Sequence, residues 1–263
     1  MASENVVALP AVSAPRQSTG VCEEHGQYPQ TINVIFGREF KTACPDCQRL
    51  AKAEEQDRIK AQARQELALK LGSALIPKRF SGKTLSGYVA TSPGQKEALR
   101  ICTKYADKFL EIAPTGRCLL LLGKPGTGKT HLGVAIATEI MKKTDATAVY
   151  RTIGTVLQEI RATYSKSSER TESQILSSLI GPSLLILDEI GVSKENPSDF
   201  ELTTLFSIIN GRYEQMRPTV IISNLDAAML PAAMGERSVD RLREGGAIAV
   251  PFEWESQRGK EGF

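Results

Sequence analysis

Residues 123–130 read GKPGTGKT, and their types and spacing specify a phosphate-binding loop. The string fits G-x-x-x-x-G-K-[ST], the Walker A pattern. Gly123, Gly126 and Gly128 let the backbone curl so that its N–H groups face phosphates at the positive end of the following helix. Lys129 is placed to reach the β- and γ-phosphates, and the Thr130 hydroxyl to ligate Mg²⁺. Lys124, Pro125 and Thr127 complete the loop. His131 adjoins it on the next helix, is counted with the nucleotide-binding residues, and has no evident metal partner. The cofactors expected here are ATP and Mg²⁺.

LLILDE (184–189) supplies the matching acids: four apolar residues form a strand, and two carboxylates emerge at its C-terminal end, where open α/β sheets bind ligands. Asp188 is expected in the Mg²⁺ shell, and Glu189 beside a water attacking the γ-phosphate. VIISNL (220–225) ends a further strand on Asn224, whose amide can orient that water or sense the γ-phosphate. In GERSVDRLREGG (235–246), Arg237 and Arg241 stand four residues apart. On a helix such a pair repels by a few tenths of a kcal/mol. Facing an anion it becomes attractive; the alternative is a surface helix on which both arginines pair with nearby acids.

A second cluster lies near the start. Cys22-x₂-His25 and Cys44-x₂-Cys47 are separated by eighteen residues, the form of a four-ligand structural zinc site. Residues 31–36 read as a strand and 37–38 as a turn into another, the hairpin of a zinc ribbon. A stretch of about 30 residues has too little core to fold alone, so Zn²⁺ would supply the missing stabilisation. Cys102 and Cys118 fall on a helix and a core strand and read as packing residues.

The elements that must position these groups follow from hydrophobic periodicity. Residues 1–20 have none and read as a flexible tail. Residues 48–71 read as an amphipathic helix with Ile59, Ala63, Leu67 and Leu71 on one face. Beyond residue 95, helices at 95–112, 129–143, 154–164 and 199–215 alternate with strands at 118–122, 146–152, 184–188, 219–223 and from 247. Residues 165–173 are a polar stretch. Short apolar strands alternating with helices indicate an α/β fold with a parallel sheet covered on both faces.

The 263 residues suffice for one large domain and a small module. A net charge of +3 does not by itself announce a nucleic-acid partner. It is unevenly spread, however: residues 75–117 hold eight basic residues against three acidic ones, either a phosphate-facing surface or a solvated face. The start lacks the pattern of a signal peptide, and no apolar run reaches the roughly 20 residues that span a bilayer. The expectation is a cytoplasmic protein with reduced thiols and no membrane partner.

Walker A, an Asp-Glu pair after a buried strand, a polar strand end and a late arginine helix, in that order, resemble an AAA+ ATPase. IPKRFSGKTLSGY (76–88), LLILDEIGV (184–192), GERSVDRLREGG and FEWESQRGKEGF (252–263) narrow the resemblance to the bacterial replicative-helicase loaders of the DnaC/DnaI type, in the IstB-like family. It covers about residues 75–263. It implies a P-loop AAA+ core without a C-terminal helical lid, since eleven residues follow Phe252. The expected organisation is a tail (1–20), a zinc-ribbon-like module (21–47), a linker helix (48–74) and an AAA+ ATPase domain (75–263). Some loaders have a helical N-terminal region without zinc; others of the DnaI type carry a zinc module.

The resemblance also implies roles. Arg241 would be an arginine finger inserted into a neighbour's nucleotide site, with Arg237 beside it, and Arg258 would stand in for a lid sensor. Residues 162–170 would bind single-stranded DNA, with Tyr164 stacking on a base and Lys166 and Arg170 near phosphates. A serine-rich surface loop containing a lysine is the alternative there. The implied partners are a hexameric replicative helicase, single-stranded DNA and further copies of the chain in a ring or spiral. Hydrolysis would act as a release switch. The alternatives are an IstB-like ATPase assisting a transposase, or a nucleotide-binding adaptor with little turnover.

Overall fold

The computed structural model describes residues 14–165, 168–191 and 197–258, which form two compact units, Met1–Glu66 and Leu67–Phe263. In the first unit, β1 (Arg16–Cys22), β2 (Gly26–Ile35) and β3 (Arg38–Lys41) form an antiparallel meander in the order β1-β2-β3. β1 starts at Arg16, inside the stretch expected to be tail. Only Gly20 of this strand is buried. It pairs with Tyr28, and a Cβ there would lie 2.5 Å from the Tyr28 ring. A bare backbone under an aromatic ring therefore anchors a strand that apolar alternation does not announce.

Helix α1 (Pro45–Ser73) is longer than the expected 48–71 and has no fully buried residue. Its apolar face is also shorter than the spacing suggested. Leu67 and Leu71 pack against a core, whereas Ile59 remains 56% exposed. Four-residue spacing among so many charges is not by itself a buried stripe.

The second unit is built on a parallel sheet of β4 (Leu119–Gly123), β5 (Ala148–Thr152), β6 (Leu184–Ile190), β7 (Thr219–Ser223) and β8 (Ile248–Phe252), in the order β5-β6-β7-β4-β8. Side chains alternate between faces along a strand, and here both faces are apolar. Leu119, Leu121, Ile186 and Ile222 join one buried cluster with α2 (Pro93–Asp107) and α4 (Lys129–Lys143). Leu120, Leu122, Leu185, Leu187 and Ile221 join another with α5 (Ile153–Ala162), α6 (Glu172–Ile180) and α7 (Asp199–Glu214). α8 (Leu230–Met234) and α9 (Glu236–Glu244) complete that layer.

The expected helix 95–112 is interrupted at Lys108, and a short α3 (Phe109–Ile112) follows. The helix α6 was not expected inside and beyond the polar stretch 165–173. Its signal is a capping box, with Thr171 and Gln174 satisfying each other's backbone N–H groups. After β8, residues 253–258 run without helix or strand. Among the described residues no helix is long and apolar enough to cross a membrane.

Candidate functional site: an ATP site and a cysteine–histidine cluster

The phosphate loop joins β4 to α4. Gly123, Gly126 and Gly128 all have positive φ, at 120°, 75° and 95°, a region costly for residues with a Cβ. Gly123 and Gly126 are also crowded: a Cβ would meet Phe252 O at 2.5 Å in the first case and run into Ser256 Oγ in the second. Gly128 caps α4 without a side chain, which leaves the first-turn N–H groups available to an anion.

Lys129 Nζ donates to the carbonyls of Gly123 and Lys124, each at 2.6 Å. Burial draws its pKa down to about 8; Asp188 opposes this, and the positive charge of Arg258 adds to it. Thr130 Oγ1 donates to Asp188 Oδ2 at 2.9 Å, and the Tyr150 hydroxyl donates to the same oxygen at 2.8 Å. Asp188 Oδ1 accepts from the Glu189 N–H at 2.7 Å. The buried Asp188 is thus held by three donors in reach of the loop, and Thr130 and Asp188 are the oxygens that could hold Mg²⁺. Burial, followed by the Asp188 charge, pushes the Tyr150 phenol well above its usual range, so Tyr150 remains a donor.

Glu189 is exposed and has φ 63°, which is uncommon for a residue with a side chain. The β6–β7 pairing is irregular between Leu187 and Ile190. Two acids in sequence are thereby separated, with Asp188 buried and Glu189 turned to solvent. Asn224, also exposed, follows Ser223 at the end of β7. Because β7 lies between β6 and β4, Asn224 emerges between the acidic pair and the phosphate loop.

Two flanking segments support the loop. The Tyr88 hydroxyl and the Trp254 indole N–H both donate to the Thr127 carbonyl, at 3.1 and 3.0 Å. Gln257 N donates to the Gly126 carbonyl at 2.8 Å. Arg258 extends along the same stretch, its Cδ 3.4 Å from where a Gly126 Cβ would sit. His131 Nε2 lies 2.9 Å from the Thr84 carbonyl, with its ring edge-on to Tyr88. These contacts tie His131 to the segment preceding the core.

Arg237 and Arg241 lie on α9, which packs on α7. Arg237 sits 4.1 Å above the Phe206 ring, and Arg241 sits 4.8 Å above that of Tyr213. Arg241 Nε donates to Asn210 Oδ1 at 3.2 Å, and its guanidinium pairs with Glu244 at 3.1 Å. Residues 206, 210 and 213 share one face of α7. α7 thus gives each arginine an aromatic face, and Arg241 an amide oxygen as well.

Tyr164 is 64% exposed and its hydroxyl donates to Glu172 at 3.3 Å. Arg170 approaches Glu159 at 3.8 Å. Lys166 lies outside the described residues.

In the first unit, Cys22 and His25 flank the β1–β2 turn, while Cys44 and Cys47 flank the start of α1. Their ligand atoms all lie within 4.8 Å of one another. Cys22 Sγ is 3.5 Å from Cys47 Sγ and 3.6 Å from His25 Nδ1, and Cys47 Sγ is 3.3 Å from that nitrogen. Tetrahedral Zn²⁺ with bonds of about 2.0–2.3 Å needs ligand separations of roughly 3.5–3.8 Å, so the donor set could hold it. The His25 hydrogen bond lowers the Cys22 thiol to about 6, whereas the hydrogen bond to Cys22, desolvation and the adjacent thiol charge push Cys47 up to about 12.

The IstB-like ATP binding protein family matches residues 103–258. The replicative helicase loader DnaC of Buchnera aphidicola subsp. Acyrthosiphon pisum is 31% identical over 215 residues, which is 80% of this chain and 85% of that protein. This chain belongs to the IstB-like ATP-binding family, with the helicase loaders of the DnaC type. The solved DnaC helicase loader superposes with a TM-score of 0.59 at 23% identity, over 67% of this chain and 99% of that one. DnaI gives 0.57 at 21% identity, over 70% and 95%. The second unit therefore has the AAA+ fold of these proteins.

Within this DnaC-type AAA+ protein, Tyr88, Tyr150, Trp254 and Gln257 escaped the sequence reading. Tyr88, Trp254 and Gln257 lie within the quoted segments 76–88 and 252–263 without being singled out there, because their importance lies in which backbone carbonyl each supports across the fold. A tyrosine whose strand partner is the acid-bearing strand was the one available signal, at Tyr150.

Proposed function

We propose that this protein uses ATP to place a hexameric replicative helicase on single-stranded DNA, and that hydrolysis switches the helicase free. The observation that carries this is the division of labour around Asp188: a buried carboxylate holds Thr130 while Glu189 faces solvent beside the loop. Lys129 would bind the phosphates; Thr130 and Asp188 would hold Mg²⁺, which when bound would polarise the γ-phosphate. Glu189 would take a proton from the attacking water, with Asn224 orienting it. Arg241, with Arg237 beside it, would complete a neighbouring copy's site and stabilise the charge on the transferring phosphoryl group. Arg258 would contact phosphate within its own chain. His131, fixed against Thr84 and Tyr88, would support the loop rather than ligate metal.

Copies would assemble in a ring or spiral, because a shared arginine needs a neighbour. Tyr164 would stack on a base and Arg170 and Lys166 would approach phosphates. Cys22, His25, Cys44 and Cys47 would hold structural Zn²⁺, and this module on its helix α1 would grip the helicase. A zinc module, a linker helix and an ATPase domain from about residue 75 fit these roles.

Co-purification of the intact protein with the replicative helicase tests the reading, once with ATP and once with ADP. A complex that forms with ATP and weakens with ADP is expected. Capture of a transposase with no helicase binding would overturn it in favour of an IstB-like assembly role.

A further inference from the structure

The nucleotide site accounts for the C-terminal edge of the sheet. At the other end of β4 and β8, beside Arg117 and Ile248, a half-open cleft of about 370 Å³ lies against α2 and α3. β4 has five residues, so about 16 Å of strand separates the cleft from the phosphate loop. Its lining draws on the basic stretch 75–117.

Arg100, Lys104 and Lys108 line the cleft at four-residue steps along α2 and its C-cap, and Arg117, just before β4, lines it as well. Each step advances about 6 Å along a helix. Like charges so spaced weaken a helix by a few tenths of a kcal/mol each. Arg100 is neutralised locally by Glu97, at 2.7 and 2.6 Å, and Lys108 by Glu111 at 2.9 Å. Lys104 and Arg117 have no ion pair among the described residues. Arg117 is nevertheless positioned, because the buried Tyr105 hydroxyl donates to its carbonyl at 2.8 Å.

The floor differs in character. Ile101, Ile112 and Ile248 present half-buried aliphatic surface beneath the cations. With Arg100 held by Glu97 and Lys108 by Glu111, the excess positive charge is that of Lys104 and Arg117; over an apolar floor this suits a ligand with linked negative charges and an uncharged body.

We propose that this cleft is a second phosphate-binding site for nucleotide chemistry, remote from the ATP site. The phosphates lie along Lys104 and Lys108 and against Arg117, and the sugar or base covers the isoleucines. A line of cations a few ångströms apart matches a phosphate chain better than it matches one compact anion. The ligand is a free nucleotide or one unit of a single strand, which share this chemistry. The inference does not depend on helicase loading.

The test uses the full chain with the ATP site saturated by ADP. Binding of a fluorescein-labelled twelve-residue oligothymidylate is titrated across a salt series for the wild type and for Lys104→Gln/Lys108→Gln. ADP stoichiometry is measured in parallel. Both lysines are exposed, and an unchanged melting temperature verifies the fold. If a strand is the ligand, affinity falls at least about tenfold and the slope of log K against log salt drops by about 1.4, at roughly 0.7 per phosphate contact. If a free nucleotide is the ligand, oligonucleotide binding is unchanged and ADP stoichiometry falls from two per chain to one. No change in either measurement overturns the proposal.

Discussion

The two units hold their chains by different means. Leu67–Phe263 sandwiches an apolar sheet between two helical layers, and Leu119, Leu121, Leu184, Leu185, Ile186 and Leu187 are fully buried. In the first unit, Gly20 and Cys44 are the buried residues among those described, while Val21, Phe36 and Phe40 are more than half exposed. Burial at about 25 cal/mol per Å² can stabilise the larger unit; it cannot do so for a three-stranded meander with its apolar side chains in water. Within the Met1–Glu66 unit, Cys22, His25, Cys44 and Cys47 instead gather a donor set that could hold a metal ion.

The sharpest way to break this contrast is Cys44→Ser, or treatment with a strong zinc chelator. Structural zinc contributes about 10 kcal/mol or more to such modules. The expected outcome is loss of protease resistance across residues 14–47 with ADP binding by the other unit retained. Unchanged protection would mean the meander stands without metal.

A second substitution asks whether the larger unit is as self-sufficient in catalysis as in folding. Arg241→Ala is expected to leave ATP binding within about twofold and to lower assembly-stimulated hydrolysis about 10³-fold, the low end for an arginine finger. Its contacts with Asn210, Tyr213 and Glu244 are exposed or half-buried, so the fold should survive their loss. Hydrolysis that is independent of protein concentration and of Arg241 would return this helix to a surface role.

The third tests the core itself. Arg212 is 1% exposed, and it donates to the carbonyls of Leu179, Ile180, Pro182 and Pro218 and to Thr219 Oγ1. Arg212→Met would leave several buried acceptors unpaired, at about 1–3 kcal/mol each. A loss of at least about 3 kcal/mol in denaturant unfolding of the larger unit is expected, with the first unit unaffected.

The smallest effect concerns pH. Lys129 has its pKa lowered to about 8 in the free protein, and bound phosphates favour its charged form. Nucleotide affinity should therefore hold below pH 8 and fall as pH rises past it, by about tenfold at pH 9. Calorimetry in buffers of different ionisation enthalpy should show proton uptake on binding in that window. No uptake would mean that Lys129 remains charged in the free loop.

Much of this was legible because it is local. Glycines at 123, 126 and 128, a lysine and a threonine after them, and an apolar strand before them fix a loop conformation through backbone sterics alone. α4 and β7 fall on the expected residues, 129–143 and 219–223. Elements marked by neither apolar periodicity nor a turn or loop motif were missed. β1 rests on a glycine beneath Tyr28, and α6 opens with a capping box inside a polar stretch. The break at Lys108 carries no proline or glycine to mark it.

The sequence by itself determined which groups are present and their order: the two Cys-x₂-[Cys/His] knuckles, phosphate loop, acidic pair, strand-end amide and arginine pair. Those follow from residue type and near-neighbour spacing. Tertiary structure decided what the groups face. The strand order β5-β6-β7-β4-β8 places Asn224 between loop and acids, the slip at Leu187–Ile190 separates Asp188 from Glu189, and α7 receives both arginines. Such juxtapositions depend on pairings between residues dozens to more than a hundred positions apart, as when Trp254 bonds Thr127. Packing and hydrogen-bond satisfaction set them, and no local spacing encodes them.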